Sequence, residues 1–191
     1  MASRDETRRT GTIPGVATVL FSGHMVDAAD RHEPRFPAER VPLARRAIAD
    51  AVWLIDEIDT MAISGLACGG DLLFAEEWLK TGRPLRAYLP REEADFLDES
   101  VRFAGEEWVD TFRQVTADPN LVVVGPDEEM LRLEDPHTAN NLRMLDAALL
   151  RPGSLHGLFL WDGKGGDGPG GTEHLASAVI EEGGSLTILR P

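Results

Sequence analysis

The sequence predicts an α/β fold, a doubly wound and mostly parallel sheet with helices on both faces. Three observations lead there. Short, apolar, β-rich runs alternate with segments of helical spacing along nearly the whole chain, the order that covers a parallel sheet on both sides. Two glycine-rich turns, at 64–71 and 162–174, each lie between an apolar run and a helical segment. No internal repeat or domain boundary is visible, and 191 residues suffice for one well-buried unit but are few for two. Residues 1–12 are expected to be a disordered tail and 13–191 a single domain.

The elements follow in order. Residues 16–21 are an apolar run ending in Ser22-Gly23-His24, which suits a buried first strand feeding a turn. Residues 25–40, rich in proline and charge, predict an irregular loop. From Pro42, placed where a first-turn proline is tolerated, Leu43, Ala47, Ile48, Ala51, Val52 and Ile55 have helical spacing. Residues 61–64 form the second strand, and its glycine turn leads into a helix over 72–80. Gly82 ends that helix, and a third strand over 85–89 stops at Pro90.

Residues 92–104 and 106–115 predict two helices whose Phe96, Phe103, Trp108 and Phe112 either pack onto the sheet or stack on a ligand base, packing being the expected role. A β-branched strand occupies 121–124. Asp135-Pro136 resembles a cap followed by a first-turn proline, opening a helix that runs to about residue 150. With Leu142, Leu145 and Leu149 as its buried stripe, Asn140 and Arg143 share another face. Strands over 155–161 and 186–189 close the series, with a helix starting near Thr172 between them.

Composition narrows the chemistry. A formal charge of -14, from 33 acidic against 19 basic residues, argues against electrostatic attraction to nucleic acid or to an anionic membrane. Any phosphate must therefore be held by local contacts. Cys68 is the only cysteine, so an internal disulfide and a cysteine-rich zinc site are ruled out, which suits a reducing cytoplasm. No apolar run reaches the length of a membrane span and the amino terminus lacks a secretory core, so the expected location is cytoplasmic, with no membrane partner. His24, His32, His137, His156 and His174 form no local metal-ligand pattern, and neither a metal nor a required cofactor is expected. Cys68 has no evident base partner and is taken as a small packing residue.

The glycine turns carry the functional signal. Strand, glycine turn, then helix brings backbone N–H groups and the positive end of a helix onto an anion, most often a phosphate. Neither turn fits GxxxxGK[ST] or a clean GxGxxG, which disfavours an ATPase or an ordinary dinucleotide dehydrogenase. In open parallel sheets, ligands sit beyond the carboxyl ends of strands where neighbouring connections diverge. The candidate ligand-binding residues are therefore Ser22, Gly23 and His24 at the first strand end, and Gly65, Gly69, Gly70 and Asp71 in the first turn. To these are added Asn140 and Arg143 on the late helix and Gly170, Gly171, Thr172 and Glu173 in the second turn.

Several have two readings. Asp71 accepts hydrogen bonds from a ribose or caps its helix. Arg143 holds a phosphate in bidentate fashion or pairs with Asp146. Glu173 faces a sugar or complements the helix dipole, and His174 exchanges protons or sits on the surface. Arg31 and Arg35 cover a phosphate as a flap or are solvated loop charges.

Three places, the turn at 64–71, Asn140-Asn141-Leu142-Arg143 and Pro169-Gly170-Gly171-Thr172-Glu173, resemble the SLOG superfamily in that order. This Rossmann-like group includes the Lonely Guy phosphoribohydrolases and DprA-type DNA-processing proteins. Phe21-Ser22-Gly23-His24 and Cys68-Gly69-Gly70-Asp71 resemble, more closely, the SLOG-type sensor domains of bacterial signalling and defence proteins. The resemblance implies a Rossmann-like fold and a pocket for a nucleotide or an ADP-ribose-like ligand at the strand ends. It also implies a homodimer or higher homo-oligomer and an effector protein as partner; an exposed Trp78 or Trp108 would mark the oligomer surface.

In the Lonely Guy pattern, paired glutamates stand two and three residues beyond the threonine of PGGxGT. Here Thr172 is followed by Glu173, His174, Leu175 and Ala176. A one-residue shift at a helix start turns a side chain by about 100°. The expectation is therefore a binding or sensor domain. The alternatives are an N-glycosidic hydrolase with Glu173 and Arg143 as catalytic residues, and a protein-interaction domain with a degenerate pocket.

Overall fold

The computed structural model describes residues 15–55, 59–164 and 171–191; the expected tail at 1–12 lies outside them. Among the described residues, six strands form one all-parallel sheet: β1 (Val16–Gly23), β2 (Met61–Ser64), β3 (Leu85–Tyr88), β4 (Leu121–Val124), β5 (Ser154–Leu160) and β6 (Ser185–Leu189). Their order is β4-β3-β2-β1-β5-β6. The helices are α1 (Val41–Leu54), α2 (Gly70–Leu79), α3 (Glu93–Ser100), α4 (Glu106–Thr116), α5 (Pro136–Leu149) and α6 (Thr172–Glu181). Among the described residues no helix is long and apolar enough to cross a membrane.

Alternation along β1 sets up two cores. Val19 and Phe21 face the layer of α1, α2 and α4, where Phe21 stacks on Phe74 at 4.2 Å between ring centres and Phe74 meets Trp78 at 5.6 Å. Leu20 faces the other way, into a smaller core with Ile63, Tyr88, Met144 and Leu175 under α5 and α6. A strand buried on both faces needs a continuous apolar run, which is why this stretch is legible without alternation of polar residues.

Arg83 closes the carboxyl end of α1. Its buried guanidinium donates to the carbonyls of Ile55 at 2.9 Å and Val52 at 3.3 Å while lying 3.9 Å from the Trp78 ring centre. Both carbonyls lie at the end of the helix, where acceptors run short of intrahelical donors, and Val52 O also accepts from Ile55 N at 3.3 Å.

Four local expectations change. The predicted helix over 92–104 stops at Ser100, whose carbonyl accepts from Cys68 N at 2.9 Å, and a one-turn 3-10 helix, Arg102–Ala104, follows before α4. Phe96, Trp108 and Phe112 are buried as packing residues, whereas Phe103 is exposed. On α5 the buried residues are Pro136, Asn140, Met144, Leu145 and Ala148, while Leu142 and Leu149 are exposed. The i, i+4 ladder from 136 to 148 faces the sheet, so Asn140 lies on the buried face and not on a shared outer face with Arg143. Trp78 and Trp108 are both buried, which removes them as marks of an oligomer surface.

The chain runs outward from β1 to β4, then crosses by α5 to the other side of β1. Connections leave β1 and β5 in opposite directions, and this divergence opens a crevice beyond their carboxyl ends.

Candidate functional site

Ser22, Gly23 and His24 stand at that crevice, and each engages a different part of the chain. Gly23 N donates to Asp71 Oδ1 at 3.1 Å, and His24 O accepts from Gly70 N at 2.9 Å. Gly70 and Gly23 touch backbone to backbone: a Cβ on Gly70 would lie 2.7 Å from the Gly23 Cα, and one on Gly23 would lie 2.9 Å from the Gly70 Cα. Gly69 has φ +95°, and a Cβ there would meet Val26 N at 2.6 Å. The first glycine turn thus clasps the end of β1, and the Gly70 amide is already committed to a carbonyl.

The second turn reaches the same strand end from the other face. Thr172, the first residue of α6, places its Oγ1 3.4 Å from Ser22 Oγ. Gly171 precedes it as the helix cap residue, and Gly170 lies outside the described residues. His24 Nε2 is 3.2 Å from both Asp162 Oδ1 and Asp162 N, which ties the start of the second turn to β1. Burial would raise the Asp162 carboxyl, but hydrogen bonds from Lys164 N and His24 hold it below its ordinary value.

Asp71 is not the cap of its own helix. That place belongs to Gly69, which makes no side-chain cap bond, and the Asp71 carboxylate reaches across to β1 instead. Burial pushes the Asp71 carboxyl up to about 7, against the opposing pull of amide hydrogen bonds from Gly23 and Ala67. Cys68, buried one turn earlier, has its thiol pushed up to about 12 by burial, the condition of an inert packing cysteine.

Asp71, Ser22, Gly65, Tyr88, Asn140 and Asn141 are among the residues lining a cleft of about 90 Å³. Asn140 donates from Nδ2 to the Tyr88 carbonyl at 3.0 Å, and its Oδ1 is buried without a donor. Ser64 Oγ, at the end of β2, is likewise buried and unpartnered. Arg143 does not make the expected pair with Asp146. Its Nη1 donates to Gly125 O at 2.8 Å, and the guanidinium lies 5.2 Å from the Tyr88 ring centre. Glu173 and His174 are exposed in the first turn of α6.

The fold therefore gathers Ser22, Gly23, His24, Gly65, Gly69, Gly70, Asp71, Asn140, Gly171 and Thr172 around one end of the sheet. Sequence reasoning missed Tyr88 as part of the site, and placed Ser64 and Asp162 within the glycine turns without naming them as candidate ligand-binding residues. Position was the available signal, since Tyr88 and Ser64 each end a strand and Asp162 follows one.

No protein-family model and no curated protein matches the sequence. Two solved structures are similar in part. DNA processing protein A (DprA) from Streptococcus pneumoniae is 16% identical with a TM-score of 0.41, over 90% of this chain and 58% of that one, so the chain spans little more than half its length. The Moco Carrier Protein from Chlamydomonas reinhardtii is 11% identical with a TM-score of 0.31, over 91% of this chain and 88% of that one.

Proposed function

We propose that the chain is a SLOG-type binding domain that senses a nucleotide or a nucleotide-derived ligand, such as an ADP-ribose-like compound, and reports it to a partner protein or through self-association. The observation that carries this reading is the meeting of both glycine turns at one strand end. Gly70 packs against Gly23 while Thr172 approaches Ser22 at 3.4 Å. One ligand at the switch point would touch both.

The two sides differ in polarity. The amino-terminal end of α6 carries the positive pole of its helix dipole, and the Ser22 and Thr172 hydroxyls stand beside it, a combination that suits a phosphate. The β2–α2 side offers the acceptors of Asp71 and Asn140, which suit a neutral part carrying hydroxyl or amine hydrogens. A net charge of -14 provides no long-range pull on an anion, so the local dipoles and hydroxyls must hold it.

Calorimetry with AMP, ADP, NAD, ADP-ribose and cyclic ADP-ribose isomers, with chromatography of the ligand afterwards, tests the reading. The expected result is saturable binding of at least one compound that is recovered unchanged. No binding across the series removes the proposal. Release of free base, abolished by Glu173→Gln, would replace it with N-glycosidic hydrolysis.

A further inference from the structure

The cleft beside Ser22 holds an imbalance of hydrogen-bonding groups. Asn140 is 4% exposed and gives its Nδ2 to the Tyr88 carbonyl at 3.0 Å. That bond fixes the amide, because the reverse orientation would set Oδ1 against another acceptor oxygen. Oδ1 is therefore a buried acceptor with no donor, on a residue that lines the cleft. A buried orphan of this kind is rare enough to require a reason.

Asp71 lines the same cleft. Its carboxylate offers about four lone-pair directions. Gly23 N and Ala67 N supply amide donors, and the remaining capacity is unfilled by any residue described. The volume of about 90 Å³ is far below the about 300 Å³ at which whole small-molecule sites begin, so the cleft admits a ring-sized part of a larger ligand. A phosphate brings acceptors only and would face a carboxylate. A sugar brings donors.

We propose that Asp71 and Asn140 form a sugar subsite, in which the vicinal hydroxyls of a ribosyl group donate to the Asp71 carboxylate and to Asn140 Oδ1. The assignment rests on the nucleotide reading given above and narrows it to ribosyl rather than deoxyribosyl ligands. Ser22 joins the two halves: it lines the cleft and lies beside Thr172 at the start of α6, so hydroxyls and phosphate of one ribosyl phosphate fall on opposite sides of it.

The test is calorimetry of the full chain, at a pH above the value of about 7 to which burial pushes Asp71, with AMP and ADP-ribose and with the 2′-deoxy and 3′-deoxy forms of whichever binds. Wild type is expected to lose about 10- to 100-fold in affinity when a bonded hydroxyl is removed, the scale of a hydrogen bond to a charged group. In Asp71→Asn the ribosyl and deoxyribosyl affinities should converge, a loss of discrimination that a merely structural role for Asp71 would not produce. Equal affinity of wild type for ribosyl and deoxyribosyl forms overturns the sugar subsite and leaves the nucleotide reading standing. Failure of both AMP and ADP-ribose to bind overturns the two together. Should Asp71→Asn not fold, the deoxy series on wild type decides alone.

Discussion

Asp71, half-buried at the cleft, and His156, buried in β5, are titratable groups whose effects on stability run in opposite directions with pH. Burial pushes the Asp71 carboxyl from 3.8 to about 7, so the folded chain holds that proton more tightly than the unfolded chain does. Its stabilising contribution is complete below the unfolded value and is lost as pH rises through about 7. Urea denaturation of wild type and Asp71→Asn from acid to neutral pH should show wild type losing ground to the variant as pH rises; a difference that stays constant would mean an ordinary carboxyl. His156 sits at 2% exposure in β5 with Nδ1 2.7 Å from Ser185 Oγ and Nε2 unpartnered, and burial lowers its pKa. A base with a depressed pKa resists protonation in the fold, so its contribution is lost as pH falls below the ordinary 6.5. Replacement by Phe should flatten that acid-side loss in the same denaturation series, and an unchanged slope would place the acid sensitivity elsewhere.

Strand and helix positions were legible because their signals are local. The runs at 16–21 and 121–124, the stop at Pro90 and the Asp135-Pro136 start each depend on neighbours in sequence. The cap is observed, with Thr138 N donating to Asp135 Oδ1 at 3.0 Å. The face of α5 was not legible, because three leucines and an i+4 ladder through Asn140 compete, and the sheet beneath decides between them. The site was legible only as far as strand ends and glycine turns disclose it. The bond from Gly23 to Asp71 spans 48 residues and that from His24 to Asp162 spans 138, and no local pattern announces either. The observed α5 face makes a direct forecast: Leu145→Ala should cost about 2–5 kcal/mol, whereas Leu142→Ala, at 40% exposure, should stay within about 0.5 kcal/mol. Comparable losses at both positions would mean that the helix is rotated. At the start of α2, Gly70→Ala forces a Cβ to 2.7 Å from the Gly23 Cα, and the expected overpacking cost is about 1–3 kcal/mol in chemical denaturation. An unaffected variant would show that the two backbones are not in contact.

Sheet order places the site at the end of an enclosed interior strand. β1 has a partner on each side and a core on each face, whereas β4 and β6 are edges, with Val122 and Ile188 exposed. Opening the sheet at an edge breaks one ladder, but releasing β1 breaks two ladders and both cores. Amide exchange should follow this order: Val19 and Leu20 should exchange only through global unfolding, and Val122, Val123 and Ile188 through cheaper local opening. Ser22 and Gly23 close that protected strand, so a ligand seated there meets a backbone that is rigid before binding and needs little ordering. Added nucleotide should therefore slow exchange most in the first turns of α2 and α6, and least in the middle of β1, which is already at the global limit. Exchange resolved by residue in NMR, with and without AMP or ADP-ribose, measures both orders. Faster exchange at Val19 than at Val123 would contradict the central place of β1, and protection gained mainly along β4 would move the ligand away from the switch point.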